Sequence, residues 1–174
     1  NGHVACEHYE RWPEDVELIS RMGVNAYRFS MSWPRVQPDG QGEWNEAGFA
    51  FYDQLISELA QRGIELHLTL NHWDLPQSLQ DQGGWANREV CTHFTRYATE
   101  VARRFGHRVH SICTHNEPWV IAILGYEQGI FAPGIQSKKQ AMQAVHHLLL
   151  SHGMALQAMR GLGLATAMGI VLNL

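Results

Sequence analysis

The chain has 174 residues, 45% of them hydrophobic and 17% charged, a balance that supports one sizeable core and excludes a disordered chain. A formal net charge of -4 with no basic run argues against a nucleic-acid surface, and no apolar stretch approaches membrane-spanning length. Cys6, Cys91 and Cys113 lie far apart without a Cys-x-x-Cys pair, which points to reduced, buried thiols and a cytoplasmic setting rather than a disulfide framework.

The chain opens on Asn1-Gly2-His3 and closes inside the apolar run Gly169-Ile170-Val171-Leu172-Asn173-Leu174, so both ends read as cut. Pro13-Glu14-Asp15 reads as a helix start, because proline fits the first helical position and acids suit the positive helix end. Val16, Ile19 and Met22 then form an apolar stripe that Gly23 closes. From Asn25 to Trp33 the pattern is a strand, with Tyr27, Phe29 and Met31 on one face and Arg28, Ser30 and Ser32 on the other. Polar groups on the inner face suit the mouth of a barrel, and Pro34 ends the strand.

Asn45-Glu46 caps the next helix, which turns Phe49, Tyr52, Ile56 and Leu59 to the core and stops at Gly63. A second strand, Glu65 to Leu70, aligns Leu66, Leu68 and Leu70 and runs into Asn71-His72-Trp73-Asp74-Leu75-Pro76, where Asp74 is expected to cap a short helix. Beyond Gly83-Gly84-Trp85, a helix from about Arg88 to Phe105 carries Phe94, Tyr97 and Val101 on one face. A third strand, Val109 to Thr114, delivers His115-Asn116-Glu117-Pro118-Trp119. A loop containing Gly125, Tyr126, Gly129, Pro133 and Gly134 leads to a helix from about Lys138 to Arg160, and a last strand covers Ala167 to Leu174. The alternation predicts an α/β fold with about four parallel strands and intervening helices in a single domain over residues 1–174.

Two constellations are set aside. Gly161, Gly163 and Gly169 fail the dinucleotide fingerprint, since its third glycine would fall on Thr166 and the cluster precedes a strand. His147 and His152 are five apart on a helix, on different faces, and lack an acidic partner at metal-ligand spacing. No metal or organic cofactor is expected.

What remains converges. Arg28 lies in the first strand, His72 and Trp73 follow the second, and Asn116, Glu117 and Trp119 follow the third. Reactive groups of a parallel barrel gather at the carboxyl ends of its strands. Glu117 stands where a general acid would stand, Asn116 can hold a substrate hydroxyl, and Trp119 offers a flat face of the kind sugars stack on.

Tyr27-Arg28-Phe29-Ser30-Met31-Ser32-Trp33-Pro34-Arg35, His72-Trp73-Asp74-Leu75-Pro76-Gln77 and Asn116-Glu117-Pro118-Trp119 closely resemble glycoside hydrolase family 1. Gly83-Gly84-Trp85 and Ala132-Pro133-Gly134 match as well. The resemblance implies retaining hydrolysis of terminal β-glycosides, with a β-glycoside or short oligosaccharide as substrate. It implies a partial (β/α)8 TIM barrel, with this chain running from the first helix to about the fifth strand and lacking the first strand and the last three βα units. It casts Glu117 as acid/base and Arg28 as support of the nucleophile. Asn116 becomes the ligand of the sugar 2-hydroxyl, His72 and Trp73 glycone ligands, and Trp119 a platform near the leaving group.

Two departures stand out. His115 occupies a position that is usually apolar in the family, so it either neighbours Glu117 or faces the core. The chain contains no Glu-Asn-Gly segment, the family's source of the nucleophile, so the segment alone is expected to be inactive. A sugar-binding or regulatory remnant without catalysis is the alternative. The bare edges of a half barrel, at the Arg28 strand and at the last strand, are expected to permit self-association.

Overall fold

The computed structural model describes residues 5–173. Its centre is a parallel sheet of four strands, β1 (Ala26–Ser30), β2 (Glu65–Asn71), β3 (Ser111–Asn116) and β4 (Ala167–Val171), ordered as in the sequence. The helices are α1 (His8–Arg21), α2 (Trp33–Val36), α3 (Glu46–Gln61), α4 (Gln77–Asp81), α5 (Val90–Phe105) and α6 (Lys138–Arg160). Each adjacent strand pair is parallel and joined by a helical crossover, as parallel pairing requires. This is the expected α/β arrangement, four consecutive units of a barrel wall, with β1 and β4 left as edges.

The strands are apolar toward the helices and polar toward the barrel axis. Leu66, Leu68 and Leu70 are buried beneath helices, whereas Arg28 and Thr69, on the other face, bond to each other. The helix layer meets the sheet through aromatic groups. Trp33 stacks on Tyr97 at 4.9 Å between ring centres, and Phe94 packs edge-on to Trp33 at 5.7 Å. Burying each such ring stabilises the fold by roughly 1.5–3 kcal/mol. Tyr97 also donates its hydroxyl to the Leu70 carbonyl at 2.9 Å, fixing α5 to the carboxyl end of β2, where the site begins.

Several sequence expectations need correction. Helix α1 begins at His8, five residues before Pro13, which lies inside it. Tyr9 packs on Phe51 at 4.8 Å between ring centres and sits beneath the Arg35 guanidinium. Those contacts extend the helix although proline deprives the Tyr9 carbonyl of its ladder partner. Met22 is 74% exposed and leaves the apolar stripe to Val16 and Ile19. The first strand stops at Ser30, because Trp33 and Val36 turn into α2 and are buried there.

Asp74 does not cap α4. The capping position is Pro76, and Asp74 is exposed. Asn45 holds the α3 cap position, but its amide donates to the Arg35 carbonyl instead of the helix. Gly63 has φ 72°, the left-handed value that ends α3. Gly125 and Tyr126 belong to a π-helical segment, Val120–Glu127, not to a loop. A Cβ on Gly125 would meet the Ala132 carbonyl oxygen at 2.6 Å, so glycine permits the Phe131–Pro133 loop to close over this segment. Cys6 is exposed and Cys113 half-buried, so only Cys91 is the buried thiol expected of all three. Of the last expected strand, Leu174 lies outside the described residues.

Candidate active site

The mouth of the sheet is built from three strand ends. Arg28, from the middle of β1, donates from Nε to the Thr69 hydroxyl at 2.9 Å and from a terminal nitrogen to Asn116 Oδ1 at 2.6 Å. The guanidinium therefore ties β1, β2 and β3 together across the barrel face. It also fixes the Asn116 amide, because its oxygen is taken and Nδ2, with no partner among the described residues, is left as a donor.

Glu117 follows directly. Its backbone sits at φ 48°, a left-handed conformation that costs a non-glycine residue on the order of 1–2 kcal/mol. The tertiary structure holds it there. Its N–H donates to the Val171 carbonyl at 2.8 Å, and its carbonyl accepts from Val120 N–H at 2.9 Å. The carboxylate makes no hydrogen bond to any described residue, and Glu117 as a whole is half-buried.

Trp73 is the second strained residue at this rim, at φ 88°. Its indole N–H donates to the Asn116 carbonyl at 2.9 Å, and its backbone N–H to Asn71 Oδ1 at 3.2 Å. Its ring lies 5.2 Å from His72 and 5.8 Å from Phe131. His72 is exposed, and partial burial together with the Arg28 charge lowers its pKa, against the raising effect of Asp74 and Glu117. A neutral imidazole is thus favoured, able to donate from one nitrogen and accept at the other. Trp119 is 49% exposed beside Glu117.

Two hollows adjoin this rim. One of about 340 Å3 is lined by Arg28, Thr69, His72, Tyr52 and Arg35. The other, of about 530 Å3, is lined by Trp73, Trp85, Val120, Tyr126, Phe131 and Pro133. Both fall within the range of small-ligand clefts.

The structure thus brings Arg28, Asn116 and Trp73 into one bonded cluster, with Glu117 next in the chain and His72 against Trp73. His115 is not part of it. It is fully buried on the helix side, stacked on Phe94 at 4.5 Å, and its Nε2 lies 2.9 Å from Ser151 Oγ. The β3–β4 register shifts between Cys113 and Asn116. Within that irregularity Thr114 and His115 both bond to α6, and Asn116 turns back toward Arg28. Bulges re-aim side chains in this way.

Burial, with a smaller contribution from His152, drives the His115 pKa down to about 3. The sign of the consequence follows from proton counting. Between the ordinary value of 6.5 and about 3, the unfolded chain binds a proton that the folded chain refuses. Stability is complete above that window and falls as pH drops through it, by about 1.4 kcal/mol per unit. Urea unfolding at about pH 7.5, above this window, and at about pH 4.5, inside it, is expected to show the loss, with a shallower loss in His115→Gln.

Sequence reasoning missed Thr69, Asn71 and Phe131. The alternation of β2 places Thr69 opposite the leucines, but which of its neighbours reaches Arg28 depends on strand register. Phe131 carries no local signal.

The geometry is that of a polar, sugar-sized mouth on a parallel barrel wall. Comparison with known proteins defines its class: the family model of glycosyl hydrolase family 1 matches residues 1–174. The chain belongs to that family. A beta-glucosidase from an Agrobacterium species is 47% identical over 173 residues, covering 99% of this chain and 38% of the relative. Beta-glucosidase A of Thermotoga maritima is 47% identical over 172 residues, with 99% and 39% covered. Among solved structures, the family 1 β-glucosidase from Thermotoga maritima superposes with a TM-score of 0.98 at 46% identity, covering 100% of this chain and 40% of that one. The chain therefore spans about 40% of the length of the relatives it matches. Among the described residues no helix is long and apolar enough to cross a membrane.

Proposed function

We propose that this chain is the acid/base-bearing part of a retaining β-glycosidase that cleaves terminal β-glucosides. The observation that carries the reading is the bonded pair Arg28–Asn116 at the end of β3, immediately before the half-buried Glu117. In the first step the Glu117 carboxylic acid gives its proton to the glycosidic oxygen as the bond to the anomeric carbon breaks. A second carboxylate, contributed from outside these residues, attacks that carbon and forms a glycosyl ester. In the second step Glu117, now ionised, takes a proton from the water that hydrolyses the ester. The Asn116 amide N–H is oriented toward a sugar hydroxyl, His72 and Trp73 supply further contacts to the sugar, and Trp119 lies beside the leaving group. Carboxylates and water suffice for this chemistry.

The relatives support the substrate class. Their names are those of β-glucosidases, and solved complexes of the Thermotoga maritima enzyme hold castanospermine and deoxynojirimycin. The open edges of β1 and β4 are the places where further strands, or a second copy, would pair.

The test is the stereochemistry of the first product. Proton NMR of the complete enzyme acting on an aryl β-glucoside is expected to show β-glucose before mutarotation. An α-anomer appearing first would overturn the retaining assignment.

A further inference from the structure

Behind the mouth lies a chain of buried polar groups that the mechanism above does not use. Asn71 and His115 are direct partners in the β2–β3 register. Asn71 is 1% exposed, and His115 and Ser151 are fully buried. Hydrogen bonds connect Trp73 N–H to Asn71 Oδ1 at 3.2 Å, Asn71 Nδ2 to His115 Nδ1 at 3.0 Å, His115 Nε2 to Ser151 Oγ at 2.9 Å, and Ser151 Oγ to the Leu148 carbonyl at 2.8 Å.

Only one assignment of protons satisfies every link. Asn71 Oδ1 must accept from Trp73, so its NH2 group faces His115, and Nδ1 must accept. The imidazole proton then sits on Nε2 and donates to Ser151, whose hydroxyl donates to Leu148. The ring cannot turn, because Phe94 stacks on it and Trp85 packs edge-on at 5.3 Å. The far end of the chain is the residue that most needs holding. Trp73 sits at φ 88°, and its indole bonds the Asn116 carbonyl, one residue before Glu117.

We infer that His115 is a positioning residue: acting through Asn71, it fixes the backbone of Trp73 and so the frame of Asn116 and Glu117. The effect on turnover rests on the proposed function, whereas the effect on Trp73 does not. An apolar residue at position 115 leaves the Asn71 amide without an acceptor. The amide is then no longer held at its far end, and the Trp73 N–H loses a fixed partner. A histidine that merely fills the core would influence stability alone.

The discriminating pair is His115→Leu, which keeps Asn71, and Asn71→Leu/His115→Leu, which does not: both are expected to lose turnover alike, and parental turnover in His115→Leu would overturn the inference. The double variant removes both polar partners together and Ser151 keeps its bond to Leu148; the group left without a partner is the Trp73 N–H, on a residue 39% exposed, so the fold is expected to persist. In the complete enzyme its melting temperature stays close to that of the parent, while kcat/KM for an aryl β-glucoside falls on the order of 10-fold, with KM raised. His115→Gln, which offers one acceptor and one donor, recovers most of the loss. Parental kcat and KM in the double variant would overturn the inference.

If the parent enzyme hydrolyses no β-glycoside, the functional reading fails, and amide exchange in this chain still decides the positioning role. The Trp73 amide is expected to exchange on the order of 10-fold faster in the double variant than in the parent or His115→Gln. Equal rates would sink the inference. Nitrogen-15 spectra of the parent provide a readout that needs no variant: His115 protonated on Nε2 is required, and an Nδ1–H tautomer contradicts the chain of bonds.

Discussion

Replacing Glu117 by glutamine in the complete enzyme is expected to lower kcat/KM for an alkyl β-glucoside on the order of 10³-fold, the middle of the range for a positioned general acid. An alkoxide is a poor leaving group, so its departure requires a proton, which on the proposed reading comes from Glu117. A dinitrophenyl β-glucoside needs little such help, because its phenolate departs without protonation. The first step with that substrate should be nearly unaffected, and the slow step becomes hydrolysis of the glycosyl ester, which has lost its base. In Glu117→Ala, added azide should then restore turnover and yield a β-glycosyl azide, since an anion attacks without giving up a proton. Equal losses for alkyl and dinitrophenyl substrates, with no azide effect, would mean that Glu117 has a structural role at the φ 48° turn and that the acid lies elsewhere.

The chain by itself is expected to hydrolyse p-nitrophenyl β-glucoside no faster than buffer does. Retention requires a second carboxylate about 5–5.5 Å from the first. Within the mouth loops the other carboxylate is Asp74, which is exposed and bonds to no described residue. Circular dichroism accompanies the assay, so that an unfolded sample is not mistaken for an inactive one. Turnover abolished by Glu117→Gln would show that the chain completes its own site. Sedimentation would then report whether pairing through the edges of β1 and β4 accounts for it.

Much of this was determined by the sequence alone. Period-two alternation in Tyr27–Met31 and Glu65–Leu70, and period-3.6 stripes such as Phe94, Tyr97 and Val101, depend on nearest neighbours in the chain. They specify a parallel α/β wall whatever its partners. The motifs Asn116-Glu117-Pro118-Trp119 and His72-Trp73 are equally local, and the strand ends that carry them follow from the same patterning.

Tertiary structure decided the rest, because it depends on which residues meet across long separations in sequence. Arg28 reaches Asn116 across 88 positions, a pairing set by strand register and invisible in either segment. Helix α1 passes through Pro13 because Phe51 and Arg35 grip Tyr9. Asp74 stays uncapping and exposed because Pro76 takes the cap. The sequence left His115 with two readings, beside Glu117 or facing the core. The irregularity between Cys113 and Asn116 settles its direction, turning the imidazole to Ser151 and Asn71 and the Asn116 amide to Arg28. A one-residue shift exchanges the two faces of a strand, and that shift is a property of the sheet, not of the segment.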